Sequence, residues 1–314
     1  MAAAAGLRLV PKELRDPTMT TTYGVGELIK KALDAGCSKI IIGCGDSGTS
    51  DGGAGMLQAL GVRLLDAEGK ELPRADGGRT LSRLSRICCC GIHSRLRKDA
   101  AEKVQIEAVC NVKNVLCGPR GVAQVYGPQK GATPEQVGLL VAALDRWAHV
   151  AQTVLKKDIS NAPGSGASGG LGTGLLMLGA GLRARSDAIN EYFEFDRVFE
   201  RKWDFVITAE GSLDSQSTEG KMTTEVARRA QRHGAQVVAL AGTIGDGAEG
   251  CYSAGIKAFT SKTRGPLTLN ETITQMENLL YDNRLFSNLM AQNSAYKSTP
   301  TFISVANNLG TIAA

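Results

Sequence analysis

Apolar residues along this chain alternate between short strand-like runs and stretches with helical spacing, a pattern of repeated strand–loop–helix units. Leu28, Ile29, Ala32 and Leu33 share one helical face, which predicts a helix over 24–35 that Gly36 stops. Ile40-Ile41-Ile42 predicts a strand over 39–43, followed by a glycine-rich loop over 43–55 and a helix over 56–60. Two short apolar runs at 62–65 and 69–72 flank Asp66-Ala67-Glu68 and predict a β-hairpin. The basic stretch 73–86 reads as a solvated loop or short helix. Strands are expected at 87–92 and 104–109, the first containing Cys88-Cys89-Cys90 as a small-residue apolar run.

The clearest helix is 135–157. Val137, Leu140, Val141, Leu144, Trp147, Ala148, Ala151, Val154 and Leu155 fall on one face, and Thr133 precedes it as an N-cap. A second glycine loop, 164–174, leads into an expected helix at 175–182. From 204 onward the spacing predicts a βαβ unit: strand 204–208, polar loop 209–221, helix 223–233 and strand 236–241. Parallel pairing with a right-handed crossover is its usual geometry. A strand at 256–259 and a helix at 269–280 follow, and the Asn-, Ser- and Thr-rich tail 281–314 has weak periodicity.

Composition narrows the function classes. The chain has 314 residues, enough for two domains, with 43% apolar and 21% charged residues. Aromatics are only 5% and the net charge is +5, which argues against a nucleic-acid partner but allows a small anionic substrate. Eight cysteines contain no C-x-x-C pair, and three histidines lie in unrelated contexts, so a zinc site is not expected. The start of the chain lacks a secretory signal pattern, and no apolar run reaches membrane-span length. Reduced thiols in the cytoplasm are therefore expected.

Three loops carry the candidate chemistry. Gly43-Cys44-Gly45-Asp46-Ser47-Gly48-Thr49-Ser50-Asp51-Gly52-Gly53-Ala54-Gly55 places glycine N–H groups before a helix, which suits an anion. The same segment also reads as a plain tight turn. Residues 117–131 could present Arg120 or Lys130 to an anion, or form an ordinary loop. The stretch 208–221 offers Glu210, Asp214, several hydroxyls and Lys221. Phosphoryl transfer uses such groups: carboxylates for Mg²⁺, a cation for the moving phosphoryl group and N–H donors for phosphate. The spacing of Gly211 and Gly220 excludes a Walker A loop. A chymotrypsin-like reading of Gly45-Asp46-Ser47-Gly48 fails because no histidine precedes Ser47.

Taken together, five blocks resemble the type I glycerate kinases of bacteria and fungi. They are Thr21-Thr22-Tyr23-Gly24-Val25-Gly26-Glu27-Leu28-Ile29, Ser47-Gly48-Thr49-Ser50-Asp51-Gly52-Gly53-Ala54-Gly55-Met56, Gly127-Pro128-Gln129-Lys130-Gly131-Ala132, Gly166-Ala167-Ser168-Gly169-Gly170-Leu171-Gly172, and Glu210-Gly211-Ser212-Leu213-Asp214-Ser215-Gln216-Ser217 with Gly220-Lys221. The resemblance implies ATP-dependent phosphorylation of D-glycerate with Mg²⁺. It implies a two-domain α/β fold, one domain Rossmann-like and discontinuous, the other an inserted α/β domain. On it, 1–200 is expected to be the inserted domain, 201–280 the remaining part of the Rossmann-like domain, and 281–314 a poorly specified tail.

The resemblance, joined to residue chemistry, nominates Asp51 as general base or Mg²⁺-linked carboxylate, and Glu210 and Asp214 as metal or substrate carboxylates. Lys130 and Lys221 become phosphate cations, and Ser47, Thr49, Gly52, Gly53, Gly169 and Gly170 line the substrate or phosphate. The family's usual opening strand–helix segment is missing from this chain, and Asp46 and Ser212 replace a glycine and an arginine of its pattern. An alternative expectation is therefore a truncated, catalytically impaired paralogue that binds a ligand or partner.

Overall fold

The computed structural model describes residues 1–218, 222–261 and 302–306. The chain divides into two compact units, Met1–Ala188 and Ile189–Ala314.

The first unit carries helices α1 (Ala2–Ala5), α2 (Tyr23–Asp34), α3 (Ala54–Ala59), α4 (Val122–Tyr126), α5 (Pro134–Leu155) and α6 (Ala167–Met177). Its strands are β1 (Lys39–Gly43), β2 (Arg63–Leu65), β3 (Arg86–Cys88), β4 (Gln105–Cys110) and β5 (Gly181–Ala184). Helix α7 (Arg185–Phe193) continues the chain across the boundary. β1, β4 and β5 form a parallel sheet in that order, and β2 pairs antiparallel with β3. The central position of β4 explains its burial: Ile106, Glu107, Ala108 and Cys110 are covered, whereas Ile41 on the edge strand β1 is 46% exposed.

Helix α5 is the main wall of this core. Thr133 and Gln136 form a reciprocal capping box, Pro134 takes the first helical position, and Lys156 ends the helix in a left-handed conformation. Leu140, Ala143, Leu144, Trp147, Ala148 and Ala151 are buried at helical spacing. They pack in one cluster with Leu57, Leu60 and Leu64 and with Leu171 and Leu175 of α6. Burial of such side chains is the dominant favourable term in folding.

Several expectations change here. β2 takes β3 as its ladder partner, so the expected hairpin is reduced to a turn: Asp66 Oδ1 accepts from the Lys70 N–H at 2.8 Å, and Leu65 and Glu71 form a single bridge. The strand expected over 87–92 stops at Cys88, because the Ile92 N–H donates to the Cys89 carbonyl and closes a turn. The basic stretch 73–86 is partly structural. It holds a 3-10 turn, Gly78–Arg83, with Leu81 buried, while Arg74 and Arg79 stay at the surface in ion pairs with Glu71 and Asp76. The expected helix 175–182 begins earlier, inside the glycine loop, and its last residues become β5 instead.

The second unit is built on β6 (Phe205–Leu213), α8 (Met222–Arg232), β7 (Gln236–Ile244), α9 (Gly250–Ser253), β8 (Ile256–Ser261) and β9 (Phe302–Ala306). Its sheet is parallel throughout, in the order β8-β7-β6-β9. The βαβ expectation stands as parallel pairing of β6 and β7 around α8. However, 209–213 form strand rather than loop, because the ladder continues through Glu210↔Ala241 and Leu213↔Ile244. Main-chain pairing needs no apolar side chain, so polar residues continue the strand beyond its buried part. Within the expected tail, Phe302–Ala306 pairs with β6. The expected helix 269–280 and the rest of the tail lie outside the described residues.

Val206, Val226, Val237 and Ile256 anchor this unit's core. Arg229 of α8 is buried there. Its guanidinium bonds Glu225 at 2.8 Å and Asp196, and lies 5.5 Å from the Phe195 ring centroid. Among the described residues no helix is long and apolar enough to cross a membrane.

Candidate active site

In the first unit the expected residues converge on Asp51, which is 1% exposed. Its Oδ2 accepts from the Thr22 N–H at 2.8 Å, the Thr22 hydroxyl at 2.9 Å, and the Thr21 hydroxyl and Gly55 N–H at 3.2 Å each. Its Oδ1 accepts from the Gly53 N–H at 3.1 Å. The carboxylate thus caps the start of α3 and ties it to the start of α2, where an anion also complements the helix dipole. Thr22 completes the tie by accepting from the Met56 N–H at 3.0 Å. A carboxylate so enclosed is an organiser of the loop. The base or metal role expected for Asp51 would require it to exchange those donors for a substrate or ion.

Lys130 reaches the same loop from the far side of the unit's sequence. Its side chain is buried, and Nζ donates to the Thr49 carbonyl at 2.5 Å. Burial disfavours the ammonium and lowers its pKa from 10.5 to about 8, partly offset by the attraction of Asp51. One acceptor serves three N–H donors among the described residues. Beside it, Thr49 Oγ1 and Ser50 Oγ are buried without a hydrogen-bond partner, as is Trp147 Nε1. Unpaired donors at this depth are unusual in a folded protein. Ser47 is also buried, pairing as a single bridge with Gly6.

The two glycine loops pack backbone to backbone. The Gly52 N–H donates to the Gly169 carbonyl at 3.0 Å. A Cβ on Gly169 would lie 1.9 Å from the Thr49 oxygen, and one on Gly170 2.6 Å from the Gly52 Cα. Gly52, Gly53, Gly169 and Gly170 all have positive φ, between 66° and 91°. The N–H groups of Gly52, Gly53 and Gly170 are engaged by Gly169 O, Asp51 Oδ1 and Gly166 O. These glycines permit loop-on-loop contact.

The second unit holds its candidates at the carboxyl end of β6. Glu210 Oε2 accepts from the Thr223 hydroxyl at 3.1 Å. Asp214 is held by Ser217, whose Oγ accepts from the Asp214 N–H at 3.0 Å and lies 3.4 Å from Oδ1. Thr208 Oγ1 is buried on the same strand without a partner. Lys221 lies outside the described residues. Among the described residues no group of three or more His, Cys, Asp or Glu could hold a metal. A magnesium ion here would rely on one or two carboxylates and the phosphates of its ligand, which is its usual mode.

Thr22 was not among the expected site residues, although it is fully buried and bonds Asp51 twice. Its place before a helix in the run Thr20-Thr21-Thr22 was the available signal. Trp147, on the apolar face of α5, also backs the loop: a Cβ on Gly52 would meet its indole at 2.5 Å.

A family model described as "Glycerate kinase family" matches residues 1–291. The glycerate kinase of Bacillus subtilis is 43% identical over 272 residues, covering 86% of this chain and 69% of that protein. The glycerate kinase of Halalkalibacterium halodurans is 41% identical over 300 residues, covering 95% and 76%. A crystal structure of a putative glycerate kinase 2 from Salmonella typhimurium LT2 superposes with a TM-score of 0.68 at 39% identity, covering 93% of this chain and 75% of that one.

Proposed function

The chain belongs to the glycerate kinase family, and on that premise we propose that it phosphorylates a hydroxyl of D-glycerate with ATP as donor. The observation that carries this reading is the family match across residues 1–291, at 41–43% identity to the relatives above. A binding role without catalysis is not favoured by those relatives. A cytoplasmic location fits the eight free cysteines.

The chemistry needs an acceptor oxygen, a leaving diphosphate and charge neutralisation at the moving phosphoryl group. The glycerate hydroxyl oxygen forms the new P–O bond, the bond to the β-phosphate bridging oxygen breaks, and the hydroxyl proton passes to a base. In the first unit the surplus of donors at Lys130, Thr49 and Ser50 suits a carboxylate or phosphate oxygen. Asp51 has its oxygens occupied and holds that surface in place. In the second unit Glu210 and Asp214 have the hard oxygen donors that Mg²⁺ takes and would hold it together with the ATP phosphates. Bound there, the ion would neutralise phosphate charge. Lys221, from the motif match, is proposed as a phosphate cation.

The test is ADP release by the purified chain with ATP, Mg²⁺ and D-glycerate, with the product identified by phosphorus NMR. Glycerate-dependent ADP release with a phosphoglycerate signal is expected. ADP release unchanged by omitting glycerate would refute the proposal.

A further inference from the structure

The cysteine run 88–90 plays no part in the kinase reading, and the fold gives its three thiols different surroundings. Cys88 is the last residue of β3 and stands opposite Arg63 of β2. Cys90 lies in the turn closed by the Ile92 N–H on the Cys89 carbonyl at 3.2 Å. The Cys90 thiol, two residues on, acts on Cys88 and favours its thiolate. Burial, then the charges of Cys88 and Cys90, push the Cys89 thiol up, with Lys98 only partly offsetting them.

Two residues of chain span at most about 7 Å between Cα atoms, even when fully extended. That lies within the roughly 7 Å that a disulfide bridges. Cys88 is partly exposed and Cys90 exposed, so a small oxidant reaches both.

The charges around the pair favour the thiolate. Arg63 and Arg86 both act on Cys88, and Arg63 acts on Cys90 as well. Arg63 is shared with Glu71 at 3.1 Å. Hydrogen bonding from Cys90, followed by the two guanidinium groups, holds the Cys88 thiol below its ordinary range. Cys44, Cys110, Cys117 and Cys251 are buried, and burial pushes Cys44 up to about 12 and Cys110 and Cys117 up.

We infer that Cys88 and Cys90 form a peroxide-sensitive dithiol that closes to an intramolecular disulfide at the end of β3. The Cys88 thiolate attacks the peroxide O–O bond, forming a sulfenic acid and releasing hydroxide, which takes up the thiol proton as water. The Cys90 sulfur then attacks the Cys88 sulfur, the S–S bond forms, and the second oxygen leaves as water. Two thiols lose two hydrogens, and one hydrogen peroxide becomes two waters.

The full chain is treated with graded hydrogen peroxide, its free thiols are blocked with one alkylating label, and oxidised ones are reduced and blocked with a second. Fragmentation mass spectrometry then reads each cysteine. Cys88 and Cys90 should acquire the second label together, and faster than the exposed Cys37 and Cys89. Equal rates at Cys37, or a second label on Cys88 with Cys89 rather than Cys90, would overturn the inference. In Cys90→Ser, closure should be lost and Cys88 should react with dimedone as the sulfenic acid. A disulfide at Cys88 that persists in that variant would also overturn it.

Discussion

Replacing Asp51 with alanine separates a structural from a catalytic role for this carboxylate. The change removes the acceptor for the Thr22, Gly53 and Gly55 N–H groups and for the Thr21 and Thr22 hydroxyls. The hydroxyls can rotate to other partners, but the three backbone donors stay in a buried loop. Each buried donor left unsatisfied costs about 1–3 kcal/mol, so about 3–6 kcal/mol follows after partial relaxation. The same change takes away the negative charge that attracts the buried Lys130 ammonium, which adds to the loss. A domain of this kind has a total stability of about 5–15 kcal/mol. At about 2–4 °C per kcal/mol for 150–250 residues, the first unit's melting temperature should fall by about 6–24 °C. Asp51→Asn should recover part of the loss, because its amide oxygen can take the Oδ2 place while its NH₂ then faces the Gly53 N–H at Oδ1. The assay is thermal unfolding of both variants by circular dichroism, beside turnover measured well below the lowered transition. If Asp51→Ala melts within about 2 °C of the parent yet loses turnover, the carboxylate is catalytic and the capping argument fails.

Lys130 makes the first unit's stability depend on alkaline pH. Its folded pKa of about 8 lies below the reference 10.5, so between those values the unfolded chain binds more protons and stability rises with pH. Urea unfolding at pH 7.5 and 9.5 should show a gain in the parent that Lys130→Met lacks, and equal gains would refute the burial argument. Gly169→Ala should fold poorly, since its Cβ would meet the Thr49 oxygen at 1.9 Å, whereas Gly36→Ala, with open space at a comparable positive φ, should lose only about 1–2 kcal/mol. Equal unfolding midpoints for the two would count against the loop-on-loop packing. Asp46 is exposed with φ 50°, so Asp46→Gly should relieve left-handed strain and leave stability equal or raised by up to about 1 kcal/mol. A clear drop in its urea midpoint would show that the aspartate side chain holds the turn.

How much of this was legible in the sequence depended on distance along the chain. Helix α5 announced its own start through Thr133, Pro134 and Gln136, because a capping box is a local event. The β6–α8–β7 unit was visible for the same reason, as apolar runs of the right length lay side by side. The glycine motifs were located, but the contact their backbones make with each other was not. Whether the Gly52 N–H meets a phosphate or the Gly169 carbonyl depends on a segment more than a hundred residues away. Polar residues at 209–213 looked like loop because pattern reading weighs side chains, while the β6 ladder is made by backbone. The run at Cys88 looked like a longer strand because no side-chain rhythm marks the turn at Cys89–Ile92. At the site, the convergence of Asp51 and Lys130 on one loop followed from no spacing in either motif.

The order β8-β7-β6-β9 also has a meaning in time. During synthesis, β6, β7 and β8 emerge together and can pair as they appear. The partner for the other side of β6 arrives only after the long stretch that separates Ser261 from Phe302. Until then β6 presents an open row of N–H and C=O groups, a template for pairing with another nascent chain. At elongation rates of about 5–20 residues per second that interval lasts seconds. The second unit's yield should therefore be sensitive to translation speed between β8 and β9.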